Sequence, residues 1–241
     1  FYCGGPDIAT CNACIAISPS ANQARDILSW RLRYAWQFAE ADRIFCPSQD
    51  MKQRLMRYGL AEHALVVPHE PVAASDWSLV LPTLAKGPLR VVLLGQLANH
   101  KGSRIVAPVV ETAAPGTLQV HCIGEIEATF PPQAASLLTS SGRYQEQELP
   151  DLIRQAKPHV IWLPSVAPES YSYTLSAAIE AGLPIVATRF GAFPERLEGR
   201  PFTWLVEHDA PVATWLDTFR QVRAALERPP AKLPRVARTP V

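Results

Sequence analysis

The stretch LPSVAPESYSYTLSAAIEAGLPIVAT, from Leu163 to Thr188, is the most informative part of the chain for predicting its fold. It starts at the last residue of one short apolar run, His159–Leu163, and finishes in another, and both runs predict buried strands. Between them, Leu175, Ala178 and Ile179 have the spacing of one helix face. A buried strand, a helix and a second buried strand are typical of a parallel α/β sheet, so the stretch predicts an α/β protein.

The same alternation continues on both sides of this stretch. The strands are near-continuous apolar runs, which is typical of a sheet covered by helices on both faces. The sequence therefore predicts a Rossmann-like, doubly wound parallel sheet. Its strands are predicted at Arg90–Leu94, Leu118–Ile123, His159–Leu163, Pro184–Thr188 and Phe202–Val206, and its helices at Ser103–Thr112, Pro132–Thr139, Gln147–Ala156, Tyr173–Ala181 and Ala210–Glu227.

Composition excludes several classes of protein. The chain has 241 residues, 48% of them hydrophobic, which is enough to build a core. The 23 Lys and Arg residues nearly balance the 22 Asp and Glu residues, so no excess of positive charge indicates binding to nucleic acid. No apolar run approaches the roughly 18–20 residues that a membrane span needs.

The residues before the predicted sheet have a pattern of their own. A helix is predicted between Ser20 and Glu40, and a short strand at Arg43–Cys46. Ser48 is expected to cap a further helix that ends at Gly59, and Leu65–Val67 is expected to be a strand. We interpret residues 1–67 as part of a second α/β domain, 68–88 as a Pro-containing linker, 89–227 as the sheet domain, and 228–241 as a Pro-rich basic tail.

Three cysteines stand close together near the first residue. Cys11 and Cys14 form a Cys-x-x-Cys pair, and Cys3 lies eight residues upstream. Three thiolates on a folded loop could hold a structural Zn²⁺ with a fourth ligand from elsewhere, or form a disulfide knot. Unligated thiols are the other interpretation. Cys46 and Cys122 lie in apolar runs and are predicted to be core residues.

Candidate binding residues follow two of the predicted strands. Ligands bind outside the carboxyl ends of the strands in such sheets. The first candidate loop has Gly95 directly after its strand, where backbone can approach a ligand closely, and then Lys101 and Gly102 at the start of a helix. A lysine there suits a phosphate, although a solvated lysine is the common alternative.

The second candidate loop leads into the helix of the opening stretch. Glu169 is followed by Ser172, Tyr173 and Thr174 at the helix start, where backbone N–H groups can hold an anion. A carboxylate beside that anion is suited to accept hydrogen bonds from sugar hydroxyls. The plainer alternative makes Glu169 a solvated loop residue and the hydroxyl residues simple helix caps.

Three segments together resemble the retaining glycosyltransferases of family 4, which have the GT-B fold of two Rossmann-like domains. They are Pro164–Thr188, Gly95–Gly102 and Asp42–Ser48. The resemblance implies that 89–227 binds a nucleoside diphosphate sugar and that 1–67 ends an acceptor-binding domain. It assigns the donor diphosphate to Lys101 and to the backbone around Ser172–Thr174, and contact with the donor sugar to Glu169 as the catalytic carboxylate. The Cys-rich start resembles an insert of some bacterial members.

This sequence departs from the family pattern at two positions. Ala177 stands where the family has a second Glu that binds the donor ribose, and Gln96 stands where an Arg usually faces the diphosphate. We therefore keep two hypotheses. The first is transfer of a sugar to a glycan acceptor with retention, requiring no metal or other cofactor. The second is a degenerate, non-catalytic binding or scaffolding module. A dehydrogenase is disfavoured because no Gly-x-Gly-x-x-Gly follows a predicted strand.

The resemblance also implies a biological setting. Its partners would be a nucleotide sugar and a glycan acceptor, with no nucleic acid and no membrane span. It implies a cytoplasmic, bacterial enzyme of polysaccharide biosynthesis, whose missing acceptor domain could associate peripherally with a membrane. A chain that has only the end of that domain is expected to be inactive by itself.

Overall fold

A computed structural model describes residues 3–5, 7–17, 24, 26–60, 62–70, 77–84 and 86–230. The chain divides into two compact units, Phe1–Glu70 and Pro71–Val241. The predicted basic tail lies outside the described residues from position 231 onward. Within the described ranges, no helix has the length and apolar character needed to cross a membrane.

The first unit pairs two very short strands, and of its described helices two precede the strands in sequence and one lies between them. Its elements are α1 (Ile8–Ile17), α2 (Ile27–Glu40), β1 (Phe45–Cys46), α3 (Gln49–Met56) and β2 (Leu65–Val66), and β1 runs parallel to β2. The helix predicted between Ser20 and Glu40 begins only at Ile27, because Asp26 caps it by accepting the N–H of Ser29. The prediction of Ser48 as a helix cap is confirmed, since its Oγ accepts the N–H of Met51.

The second unit contains the predicted doubly wound sheet. Its six described strands are all parallel and lie in the order β5-β4-β3-β6-β7-β8. The strands are β3 (Leu89–Leu94), β4 (Leu118–Ile123), β5 (Leu138–Ser140), β6 (Val160–Leu163), β7 (Ile185–Thr188) and β8 (Thr203–Val206). The helices are α4 (Ser103–Thr112), α5 (Pro132–Leu137), α6 (Leu149–Ala156), α7 (Tyr173–Glu180), α8 (Phe193–Arg196) and α9 (Val212–Glu227).

The five predicted strands are confirmed to within one residue at each end, but β5 was not predicted. The helix predicted at Pro132–Thr139 ends at Leu137, and the prediction for the residues after it was wrong. Leu138 and Thr139 instead pair with Val120 and His121 of β4. A three-residue strand has too few positions to show a hydrophobic period, so the neighbouring strand decides this structure.

The core of this unit lies on both faces of the sheet. Successive residues of β6 point to opposite faces, as the period of a strand requires. Trp162 packs with Trp215 and Phe219 of α9, at ring-centroid distances of 5.5 and 5.0 Å. Ile161, on the other face, belongs to the cluster that contains Leu175 of α7. Burial on both faces explains why the strands are continuous apolar runs.

Part of the segment predicted as a linker packs on the second unit. The Trp77 side chain is 8% exposed and belongs to one core cluster, and Leu81 and Leu84 contact the other. The N–H of Val80 donates to the carbonyl of Gly182, just after α7. Residues 77–84 therefore take part in the core of the second unit, which their irregular spacing in the sequence did not indicate.

Candidate functional site

The order of the strands places a crevice between β3 and β6. The chain runs outward from β3 to β4 and β5, then returns to β6 on the other side of β3. The connections that follow β3 and β6 therefore lead in opposite directions from the carboxyl edge of the sheet. Ligands of doubly wound sheets bind at such a switch point, and both loops with candidate residues lie there.

Lys101 and Glu169 meet across this crevice. Lys101 ends a single 3₁₀ turn, Asn99–Lys101, in the loop after β3, and Glu169 lies in the loop after β6. The Lys101 Nζ donates to the Glu169 Oε1 at 2.6 Å, with side chains 34% and 15% exposed. Two residues predicted separately as donor ligands thus form one half-buried ion pair.

Gly102 allows the Lys101 loop to lie directly against the loop after β6. Gly102 has φ 94°, in the left-handed region, and a Cβ at this position would lie 2.0 Å from the carbonyl oxygen of Pro164. Only glycine accommodates both the φ angle and the contact. The predicted glycine therefore fixes the place of Lys101.

Backbone hydrogen bonds hold the loop after β6 in place. The carbonyl of His100 accepts the N–H of Val166 at 3.0 Å and the hydroxyl of Ser165 at 3.1 Å. The buried hydroxyl of Thr188 donates to the carbonyl of Ser165 at 2.9 Å. These bonds join the loops after β3 and β6 to each other and to the end of β7. The backbone on both sides of the crevice is therefore fixed by hydrogen bonds.

Glu169 is also supported by the loop that follows β7. The N–H of Ala192 donates to the carbonyl of Glu169 at 2.9 Å. This bond fixes the backbone of Glu169. The carboxylate is therefore held by its side chain and by its main chain, as a residue that positions a ligand needs to be.

The start of α7 has an unusual backbone. Ser172 is its N-cap, with φ 77° and ψ 95°, and its Oγ accepts the N–H of Leu175 at 3.3 Å. Positive φ in a residue other than glycine typically costs about 1–3 kcal/mol, and the surrounding structure has to compensate it. Thr174, in the first turn, lies close to Gly95, whose added Cβ would be 3.2 Å from the Thr174 Cγ2.

Several predicted residues share one cavity. Its lining includes Gly95, Lys101, Glu169 and Thr174, together with Gln96. Ser172 lies at the helix start as a cap, and the Tyr173 side chain is 57% exposed. Ala177, at the second departure from the family pattern, packs against the core. The structure thus gathers the candidate cation, carboxylate and hydroxyl residues at one place.

The two predicted core cysteines are buried. Both side chains are 0% exposed, and burial raises the pKa of the Cys46 thiol. Burial also raises the pKa of the Cys122 thiol, to about 12, and its Sγ donates to the carbonyl of Gly95 at 3.4 Å. Cys122 therefore stays protonated at neutral pH and supports Gly95 from beneath the crevice.

The cysteines near the first residue lie differently from the predicted loop. Cys11 and Cys14 belong to α1, and neither they nor Cys3 form a disulfide in the described part of the chain. The Arg31 guanidinium donates to the Cys11 Sγ at 3.5 Å. No group of three or more metal-binding side chains forms among the residues that the structure describes, so the described geometry gives no support to the predicted Zn²⁺ site.

Arg196 also lies in this region, but the sequence did not identify it as a candidate residue. It ends α8, its side chain is 7% exposed, and its guanidinium donates to the carbonyls of Tyr171 and Ser172 at 2.9 and 2.8 Å. Its position between two apolar residues that are buried, Phe193 and Leu197, was the one indication that this arginine is buried. Nothing in the sequence showed which carbonyls it would reach.

The fold is that of GT-B glycosyltransferases. HepE from Anabaena, in complex with UDP-glucose, is similar over 87% of this chain and 60% of its own, with a TM-score of 0.61 and 17% identity. Sucrose-phosphate synthase from Thermosynechococcus elongatus is similar over 90% of this chain and 57% of its own, with a TM-score of 0.62 and 14% identity. TarM has a TM-score of 0.61 at 10% identity, over 83% of this chain and 40% of its own.

These likenesses establish the fold. The chain spans about three fifths of the length of HepE and sucrose-phosphate synthase. No protein-family model and no curated protein matches the sequence. The predicted fold class, a Rossmann-like α/β sheet of GT-B type, is thereby confirmed.

Proposed function

We propose that this chain is the donor-binding part of a retaining, metal-independent glycosyltransferase of family 4. Its substrates would be a nucleoside diphosphate sugar and a glycan acceptor. The observation that carries the proposal is the 2.6 Å pair of Lys101 and Glu169 at the switch point of the sheet, beside the start of α7. The likeness to HepE, which was solved with UDP and with UDP-glucose, supports the same class of ligand.

Each residue of the pair would have its own part in donor binding. The Lys101 ammonium and the partial positive charge of the α7 N-terminus would hold the diphosphate. They would also stabilise the negative charge that develops on it as the sugar leaves, which is the electrostatic part of catalysis and needs no metal. A donor diphosphate carries more charge than one carboxylate, so it would draw Lys101 away from Glu169.

Glu169 would then act on the sugar. Released from Lys101, its carboxylate can accept hydrogen bonds from sugar hydroxyls while its backbone stays tied to Ala192. The assignment of Gly95, Gly102, Ser172, Tyr173 and Thr174 to donor binding is part of the same proposal. So are the cytoplasmic, bacterial setting and the role in polysaccharide biosynthesis. The likenesses do not favour the alternative of a non-catalytic module.

Donor binding can be measured without the acceptor. Isothermal titration of the chain with UDP, GDP, ADP and UDP-glucose, in EDTA, should show binding of at least one nucleotide. Lys101→Met should weaken that binding about ten- to a hundredfold, since a hydrogen bond to a charged group contributes roughly 1.5–3 kcal/mol. Glu169→Gln should weaken UDP-glucose more than UDP.

Arg104 provides the control for the loss of one positive charge. Its side chain is exposed near the start of α4, and Arg104→Met should leave nucleotide affinity within about twofold. The proposal would be refuted if the wild-type chain bound none of these nucleotides, or if Lys101→Met bound them as tightly as the wild type.

A further inference from the structure

Arg196 makes a dense set of contacts with the start of α7. Its Nη1 donates to the carbonyls of Tyr171 and Ser172, and its Nη2 donates to the Oγ of Ser176 at 2.9 Å. Its Cζ lies 3.7 Å from the centroid of the Tyr171 ring, within the range of a cation–π interaction. One buried guanidinium thus contacts the chain before α7, its cap and its first turn.

These contacts compensate the unusual backbone of the cap. Ser172 has φ 77°, which a residue other than glycine keeps only when its surroundings enforce it. Arg196 donates to the two carbonyls that flank the φ and ψ bonds of Ser172. The Tyr171 carbonyl precedes the φ bond, and the Ser172 carbonyl follows the ψ bond. The guanidinium therefore fixes the conformation in which α7 begins.

The same contacts set the direction of the amides at the helix start. A trans peptide is planar, and its C=O and N–H point in opposite directions. With the carbonyls of Tyr171 and Ser172 turned toward the buried guanidinium, the N–H groups of Ser172 and Tyr173 point away from it. The positive charge of Arg196, 7% exposed behind these amides, adds to that of the helix terminus.

We propose that Arg196 is a positioning residue for the donor diphosphate: it orients the N-terminal amides of α7 and adds positive charge behind them without touching the ligand. This inference rests on the proposed function, since the diphosphate is assigned to that helix start. It also gives the chain a second cation near the diphosphate although Gln96 stands at the usual arginine position.

Arg200 is a close structural control. Its side chain is 4% exposed, and its Nη2 donates to the carbonyl of Leu183 at 2.7 Å. Leu183 lies just after α7, so Arg200 supports the opposite end of the same helix. Removing either guanidinium leaves a buried carbonyl without its donor, and both losses should lower the melting temperature. Only the loss of Arg196 should change the helix start.

The test compares Arg196→Met and Arg200→Met in the full chain. Isothermal titration would measure affinity for UDP and for inorganic pyrophosphate, and calorimetry would measure the melting temperature. We expect Arg196→Met to weaken both ligands about tenfold or more, and Arg200→Met to stay within about twofold of the wild type. Arg196→Lys, which keeps the charge but not the planar fork, should recover part of the affinity and serves if the Met variant fails to fold.

Hydrogen exchange separates this inference from the proposed function. If the wild-type chain bound neither ligand, the proposed function would fail, and exchange of the Tyr173–Ser176 amides would still decide the role of Arg196. Faster exchange of these amides in Arg196→Met than in Arg200→Met supports positioning. Equal exchange in the two variants, or an equal loss of affinity where the wild type binds, overturns it.

Discussion

The two units of the chain bury their apolar residues to very different extents. The second unit covers both faces of its sheet, and Trp162 and Trp215 are 0% exposed. In the first unit, the described buried core is the pair Cys46 and Ala64, with a few partly buried neighbours. Leu32 and Trp36 of α2, one turn apart, are 73% and 60% exposed.

This difference shows where the stability of the chain arises. Burial of apolar surface is the main favourable contribution to folding, so the second unit is expected to dominate the free energy of unfolding. The first unit depends more on local interactions such as helix caps. Four predictions test this contrast, in order of decreasing expected change in stability.

A matched pair of tryptophan substitutions tests it most directly. Trp162→Ala should lower the free energy of unfolding by about 3–5 kcal/mol, because it removes a ring packed against Trp215 and Phe219. Trp36→Ala should change it by less than about 0.5 kcal/mol. Urea unfolding followed by circular dichroism measures both. Similar losses in the two variants would contradict the contrast.

A matched pair of glycines tests the tightness of packing at the crevice. Gly102→Ala combines a positive φ with a Cβ 2.0 Å from the Pro164 oxygen, so it should cost about 2–4 kcal/mol. Gly59→Ala in the first unit has φ 71° but nothing within 4 Å, and should cost about 1 kcal/mol. Thermal unfolding of both variants would separate the cost of contact from the cost of the φ angle; equal costs would refute the close approach.

The pH dependence of stability should be set in part by His159. Burial, and then the charges of Arg90 and Arg223, lower the His159 pKa from 6.5 to about 4, and its Nδ1 accepts the N–H of Arg90. Between these pH values the unfolded chain binds a proton at His159 that the folded chain does not. The folded state is therefore favoured by the neutral form of His159. This contribution to the free energy of unfolding is fully present above pH 6.5 and is lost as the pH falls toward 4.

Urea unfolding between pH 7 and pH 4 measures this loss, which we expect to be roughly 1–3 kcal/mol. His159→Gln should flatten that part of the profile. The control is His63→Gln at an exposed position of the first unit. A profile of His159→Gln that is as steep as that of the wild type would show that His159 does not titrate in this way.

The smallest effect concerns a helix cap of the first unit. Ser48→Ala removes the acceptor for the N–H of Met51 and should destabilise α3 by about 1 kcal/mol. Amide exchange over Gln49–Met56 measures this local change, with Gln53→Ala at an exposed position as the control. No difference in exchange between the two variants would mean that the cap does not hold this helix.

Strand β6 and strand β5 show how far the sequence predicts the fold. Four consecutive buried residues, Val160–Leu163, indicated β6 because both faces of the strand are covered. The short β5 has one buried residue, Leu138, followed by exposed Thr139 and Ser140, so its pairing with β4 left no pattern in the sequence.

Local patterns in the sequence were enough to predict the class of fold, most element boundaries and the loops that contain the candidate binding residues. These follow from apolar periodicity, glycines and capping residues, which act over a few neighbouring positions. Only folding brings together Lys101 and Glu169, which are 68 residues apart, and places Arg196 against the start of α7. Such contacts depend on strand order and on the approach of distant loops, which no local pattern encodes.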